Sequence, residues 1–190
     1  MRIGLLGGSF DPPHLGHWLA AVDAFERLEL DRLDFIPASQ QPLKADGHGA
    51  TAAQRLAMLE AMVASDPRFA VNPVEIERGG LSFTVETAAA YRATGPDDTL
   101  FLLLGTDAAS GLARWKEPAR LLQLVQLVVL TRGAEGFVPA GLGRDALVLP
   151  TRRVDVSSTE VRRRASEGRS LRGFVLDVVA DQIRSTSLYR

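Results

Sequence analysis

Two of the chain's three histidines, His14 and His17, stand three residues apart in the run Gly7-Gly8-Ser9-Phe10-Asp11-Pro12-Pro13-His14-Leu15-Gly16-His17. Following an apolar segment, such a run has the parts of an anion receptor. Gly7 and Gly8 let the backbone turn and come close to a ligand. Their amides, with those of Ser9 and Phe10, can form a concave nest for negative charge. Pro12 and Pro13 stiffen the turn and suit a helix start. Once a helix begins, His14 and His17 share one face, at the end where the helix dipole favours anions. Gly16 leaves room for a flat group close to that helix. Either histidine alone also fits an ordinary surface side chain beside a turn. A metal pair at this spacing lacks an evident third ligand. Phosphate contact uses what imidazole offers, which is hydrogen-bond donation and a charge available near neutral pH.

A second set of groups gathers in Val156-Ser157-Ser158-Thr159-Glu160-Val161-Arg162-Arg163-Arg164. Ser157 or Ser158 can cap a helix there, and Glu160 suits its first turn. Free amides, two serines, Thr159 and Arg162 then converge on one helix end, a receptor for polyphosphate. A capped helix with a solvated basic face has the same sequence signature. Between the two sets, Gly105 ends an apolar run and permits close approach, while Asp107 can accept hydrogen bonds from ribose hydroxyls. Trp115 can stack on a flat ring or fill the core. The phosphate loop G-x-x-x-x-G-K-[ST] is absent.

The first run resembles the G-x-F-D-P-x-H-x-G-H signature of the nucleotidylyltransferase superfamily, whose H-x-G-H core also occurs in class I aminoacyl-tRNA synthetases. The second resembles that superfamily's I-S-S-T-x-I-R motif, with Val156 and Val161 in place of isoleucine. Leu104-Gly105-Thr106-Asp107 followed by Trp115 resembles the nicotinate-mononucleotide adenylyltransferases, as do Ser82-Phe83-Thr84, Thr131-Arg132 and Ser187-Leu188-Tyr189.

That resemblance implies transfer of AMP from ATP to nicotinate mononucleotide, giving nicotinate adenine dinucleotide and pyrophosphate in NAD biosynthesis. His17 would contact the α-phosphate and His14 would order the phosphates. Arg162, Ser158 and Thr159 would hold the pyrophosphate end. Gly8, Ser9, Phe10, Gly16, Gly105 and Asp107 would border ATP, with Arg132 near the adenine. Thr84 and Trp115 would meet the pyridine end. Lys44 is carried over from a family P-P-H-K element that reads Gln41-Pro42-Leu43-Lys44 here, without the histidine. Mg²⁺ is expected, held by phosphates and water with no protein ligand. Leu176 and Gln182 depart from the family's usual Pro and Tyr in the last helix.

Positioning these groups takes strands that end where the glycines stand. Residues 3–6, 33–36, 69–71, 74–76, 99–104 and 127–131 read as short strands. Helices are expected over 15–30, 51–65 (with Leu56, Leu59 and Val63 on one side), 84–93, 158–164 and 175–184, and a polar loop over 38–49. The alternation predicts an α/β, Rossmann-like doubly wound parallel sheet with a small helical C-terminal part over 151–190, as a single domain of 190 residues. A net charge of −1 speaks against a nucleic-acid binder. With no cysteine there is no disulfide, thiolate site or thiol nucleophile. No apolar run approaches the roughly 20 residues that span a bilayer. A cytoplasmic protein is expected; oligomeric state is not legible.

Overall fold

The computed structural model describes residues 1–42, 49–132 and 146–190, Arg132 by its backbone alone. Six strands form one sheet: β1 (Arg2–Gly8), β2 (Arg32–Pro37), β3 (Phe69–Val71), β4 (Thr99–Gly105), β5 (Gln126–Arg132) and β6 (Leu147–Thr151). All pair in parallel, in the order β3-β2-β1-β4-β5-β6. The inner strands are apolar almost without interruption because both faces are covered. Along β4, Phe101 and Leu103 point into one core, while Leu100, Leu102 and Leu104 point into the other. β5 divides likewise, Val128 and Leu130 against Leu127 and Val129.

The first core is closed by α1 (Leu15–Arg27), α2 (Ala52–Val63), α7 (Ser158–Ser166) and α8 (Asp177–Ser185). The second is closed by α4 (Thr84–Thr94), α5 (Thr106–Ser110), a 3₁₀ turn (Leu112–Arg114) and α6 (Pro118–Leu124). This is the expected doubly wound sheet with helices on both faces, ending in helices. No described helix is long and apolar enough to cross a membrane.

Several expectations change in detail. Residues 74–76 are not a strand but part of helix α3 (Val74–Arg78). Asn72 starts it, its side-chain oxygen accepting from the Val74 amide at 3.0 Å. The buried face of α2 is Arg55, Met58, Leu59 and Met62 rather than a stripe through Leu56 and Val63. The helix turns this way because Arg55 reaches beneath the glycine-rich turn. β6 and α6 lie in stretches that the periodicity left unassigned. β6 is an edge strand that carries Pro150, a residue that edges tolerate and central strands do not.

Candidate active site

β1 and β4 are neighbours, and their connections leave in opposite directions, so a crevice opens beyond their carboxyl ends. The two strands pair from Arg2↔Thr99 to Leu5↔Leu102 and then part. Gly7 and Gly8 on one side and Gly105 on the other are left facing a cleft of about 750 Å³. His17, Thr84, Asp107 and Trp115 also line it.

The glycine-rich turn is built around the two histidines. Phe10 takes a left-handed backbone, φ 49°, and its ring is buried. That ring stands edge-on to His17 at 5.0 Å and to Phe35 at 5.8 Å. Phe10 is therefore the support under His17: its side chain lies in the core, and only its backbone amide is left for the turn. Gly8 is needed for the same packing, since a Cβ there would fall 3.0 Å from the Phe10 ring. His14 caps α1, and its amide donates to His17 Nδ1 at 3.2 Å. With Nδ1 an acceptor, the neutral ring carries its proton on Nε2. His17 can thus donate a hydrogen bond without being a cation. The His14 ring stacks on His17, centroids 3.7 Å apart. The flat group over Gly16 is this same His14 ring, because a Cβ on Gly16 would come within 3.0 Å of it.

The second motif folds directly onto the first. Ser157 is the cap of α7, accepting from the Glu160 amide at 3.2 Å. Ser158 instead donates its hydroxyl to the Pro12 carbonyl at 2.9 Å. Arg162 donates to the Asp11 carbonyl at 2.7 Å and to Thr159 Oγ1 at 3.3 Å. The outer face of α7 is a solvated ion-pair ladder, with Arg163 between Glu160 and Glu167. The capped helix with a solvated charged face is thus observed, and Ser158, Thr159 and Arg162 lie on the face turned to the glycine-rich turn.

Two positioning groups stand behind the turn: Asp11, which the sequence leaves open between a partner and a turn former, and Arg55, which it does not single out. Asp11, 4% exposed, accepts from the amides of Gly49 (2.7 Å) and Ala50 (2.9 Å) and from the Tyr189 hydroxyl (2.7 Å). Arg55, 1% exposed, donates to the carbonyls of Ser9 (2.7 Å) and Ser39 (3.2 Å). Burial pulls its pKa down, while the nearby Asp11 and Tyr189 oppose that shift. The carbonyls of Ser9, Asp11 and Pro12 are thus each tied from behind, which fixes the turn's shape before any ligand arrives. An arginine at the i, i+3, i+4, i+7 spacing of Met58, Leu59 and Met62 was the available signal for Arg55.

The opposite wall is apolar with polar points. Trp115 is half-buried: it packs on the second core and also lines the cleft. Asp107 is exposed at the start of α5. Thr84 opens α4, whose cap is Phe83. The Ser82 hydroxyl accepts from the Ser39 amide at 2.9 Å and ties the β2 end to this wall. At the floor, the buried Glu75 accepts from the Thr87 hydroxyl at 2.7 Å. At the rim, Lys116 pairs with Glu86 at 2.6 Å and lies 4.5 Å over the Phe83 ring. Arg132 ends β5 opposite Thr151; its side chain, like all of Leu43 and Lys44, lies outside the described residues.

Among the described residues no group of three potential metal ligands stands together. The buried carboxylate of Asp11 is engaged by three donors.

A strand-order switch with a glycine turn and a helix-borne histidine pair at its mouth is the architecture of a nucleotide-handling α/β protein, and residues 5–164 match the family described as cytidylyltransferase-like. Over its whole length the chain is 54% identical to a Gemmatimonas aurantiaca protein named "Probable nicotinate-nucleotide adenylyltransferase", 93% of which is covered. It is 44% identical to a Thermus thermophilus protein of the same name, with both chains covered fully. The fold is also that of the Plasmodium falciparum nicotinic acid mononucleotide adenylyltransferase complexed with NaAD, with a TM-score of 0.81 at 16% identity, covering 99% of this chain and 97% of that one. The chain belongs to the nicotinate-nucleotide adenylyltransferase family.

Proposed function

We propose that this protein transfers AMP from ATP to nicotinate mononucleotide, forming nicotinate adenine dinucleotide and pyrophosphate. One observation carries the reading. A single cleft is bordered by the His17 donor on one wall and by Asp107 and Trp115 on the other. That arrangement has room for two nucleotides meeting phosphate to phosphate.

A phosphate oxygen of the mononucleotide attacks the α-phosphorus of ATP, and the bond from that phosphorus to the β-phosphate bridge breaks. The nucleophile is already an anion, so no side chain has to take a proton from it. Catalysis is then positioning together with stabilisation of the charge on the α-phosphate and the leaving group. His17 Nε2–H donates to an α-phosphate oxygen. His14, stacked on it, orders the ring and the phosphates. Arg162 holds the turn by one bond to the Asp11 carbonyl and bonds Thr159 of its own helix, and a guanidinium has further N–H donors for pyrophosphate. Ser158 and Thr159 stand at the same end, and Ser158 also secures the turn through Pro12. The turn amides of Gly8, Ser9 and Phe10 and the start of α1 at Gly16 border ATP, with Gly105 and Asp107 at its ribose and Arg132 toward the adenine. Trp115 stacks on the pyridine ring, and Thr84 and Lys44 complete that acceptor's site. Mg²⁺ bound with the ATP phosphates would neutralise charge there, with no protein ligand required.

The test is pyrophosphate release from Mg-ATP by purified protein, with nicotinate mononucleotide, nicotinamide mononucleotide and 4′-phosphopantetheine offered in parallel. Release dominated by nicotinate mononucleotide, with a dinucleotide product by mass, is the expected result. Release with none of the three despite measurable ATP binding, or a preference for phosphopantetheine, overturns the substrate assignment.

A further inference from the structure

Tyr189 stands 178 residues after Asp11 in the chain, yet its hydroxyl donates to Asp11 Oδ1 at 2.7 Å. Its ring packs on Gly49, where a Cβ would come within 3.0 Å. The amides of Gly49 and Ala50 donate to the two oxygens of the same carboxylate, and Arg162 Nη1 lies 3.9 Å from Oδ2. Three donors from two distant segments thus fix one buried side chain. What that residue holds in turn belongs to the chemistry: its carbonyl accepts from Arg162 Nη1 at 2.7 Å. Carboxylate and carbonyl belong to one residue, so a loosened carboxylate leaves the backbone that anchors Arg162 less firmly held.

We infer that Tyr189 is a positioning residue for the leaving-group end of the site: through Asp11 it holds Arg162 in the orientation that meets pyrophosphate. The inference rests on the assignment of Arg162 to that end. None of the groups that border the acceptor nucleotide, Thr84, Asp107 or Trp115, takes part in these contacts. The effect therefore belongs to ATP and pyrophosphate and not to the mononucleotide.

Tyr189→Phe keeps the ring on Gly49 and removes only the hydroxyl. Expected is a fall in kcat/KM for ATP of roughly tenfold, the scale of one hydrogen bond to a charged group. KM for pyrophosphate in the reverse reaction should rise by a similar factor, with KM for the mononucleotide unchanged. Combined with Arg162→Lys, the two effects should fall well short of additive, because one residue acts through the other. Wild-type kinetics in Y189F would overturn the proposal. So would equal rises in KM for both substrates, which is the pattern of general loosening, or full additivity with Arg162→Lys. Arg162→Ala with unaltered kcat and pyrophosphate affinity would instead remove the underlying assignment of Arg162, an outcome separable from failure of the Tyr189 link.

Discussion

On the proposed mechanism His17 has two tasks for its two nitrogens, and substitution can separate them. Nδ1 accepts from the His14 amide at 3.2 Å and so helps start α1, while Nε2–H is the donor offered to phosphate. Asn places its side-chain oxygen near the position of Nδ1 but reaches no further, so His17→Asn keeps the cap and loses the donor. His17→Ala loses both. Removing one preorganised donor to developing charge costs about 2.7–4 kcal/mol, or roughly 10²–10³ in kcat. Both variants should show that loss in pyrophosphate release at saturating substrates. Both also lose the edge contact with Phe10 at 5.0 Å, worth about 0.5–1.5 kcal/mol. Only Ala also loses the hydrogen bond to the His14 amide, another ~1 kcal/mol. At roughly 2–4 °C of Tm per kcal/mol for a chain of this size, H17A should melt a few degrees below H17N while the two are equally slow. A folded H17N with near-normal kcat would remove Nε2 from the mechanism. Equal melting temperatures would show that the Nδ1 bond contributes nothing to the helix start.

Gly16→Ala should separate stability from activity in the opposite sense. Alanine favours the helix by about 0.8–1.0 kcal/mol over glycine, but its Cβ would fall 3.0 Å from the His14 ring; an unchanged or raised Tm with kcat down about tenfold or more is expected, and full activity would show that His14's place is unimportant. Trp115→Ala should raise KM for the pyridine nucleotide by a factor corresponding to about 1–3 kcal/mol of ring stacking, with KM for ATP little changed; equal effects on both would make Trp115 core alone. Asp23 ties α1 to the end of β6 through Arg152 at 2.7 Å. Burial works to raise its pKa, but the hydrogen bonds and charge of Arg152 prevail and hold it below the usual 3.8. A depressed carboxyl contributes stability above its unfolded pKa and loses it as pH falls through the folded one. Asp23→Asn should therefore cost about 1–2 kcal/mol at pH 7, less if the exposed Arg152 is well screened. The gap to wild type in thermal melts should close below about pH 4, and a gap that persists at pH 2 would refute the linkage.

The residues proposed to touch ligand were largely legible, because that chemistry requires particular types at fixed spacing beside strand ends. The glycine turn, the histidine pair and Ser157 to Arg162 announce themselves in one dimension. The groups that hold them did not. Asp11 looked as much a turn former as a partner, since its three donors come from residues 49, 50 and 189. Arg55 sat in a helix whose inner face was placed by hydrophobicity, which counts an arginine as outward. Residues 74–76 alternate like a strand, yet Asn72 had already offered its side chain as a helix start. β6 was hidden by a proline that only its edge position allows. For Asp11 and Arg55 the deciding contacts are long-range, whereas the Asn72 contact is local but does not show in hydrophobic periodicity.

The buried guanidinium of Arg55 resembles a structural metal ion more than a surface charge. It sits in the first core, takes the carbonyls of Ser9 and Ser39 as ligands, and so clips the loops after β1 and β2 to a common centre. Unlike a metal it is covalently attached and cannot be drawn off by a chelator. Stripping divalent cations should therefore halt turnover yet leave the glycine turn as ordered as before, and restoring them should bring activity back without a refolding step. Lysine could not stand in for it, because a single ammonium on a flexible stem does not span two carbonyls with fixed geometry.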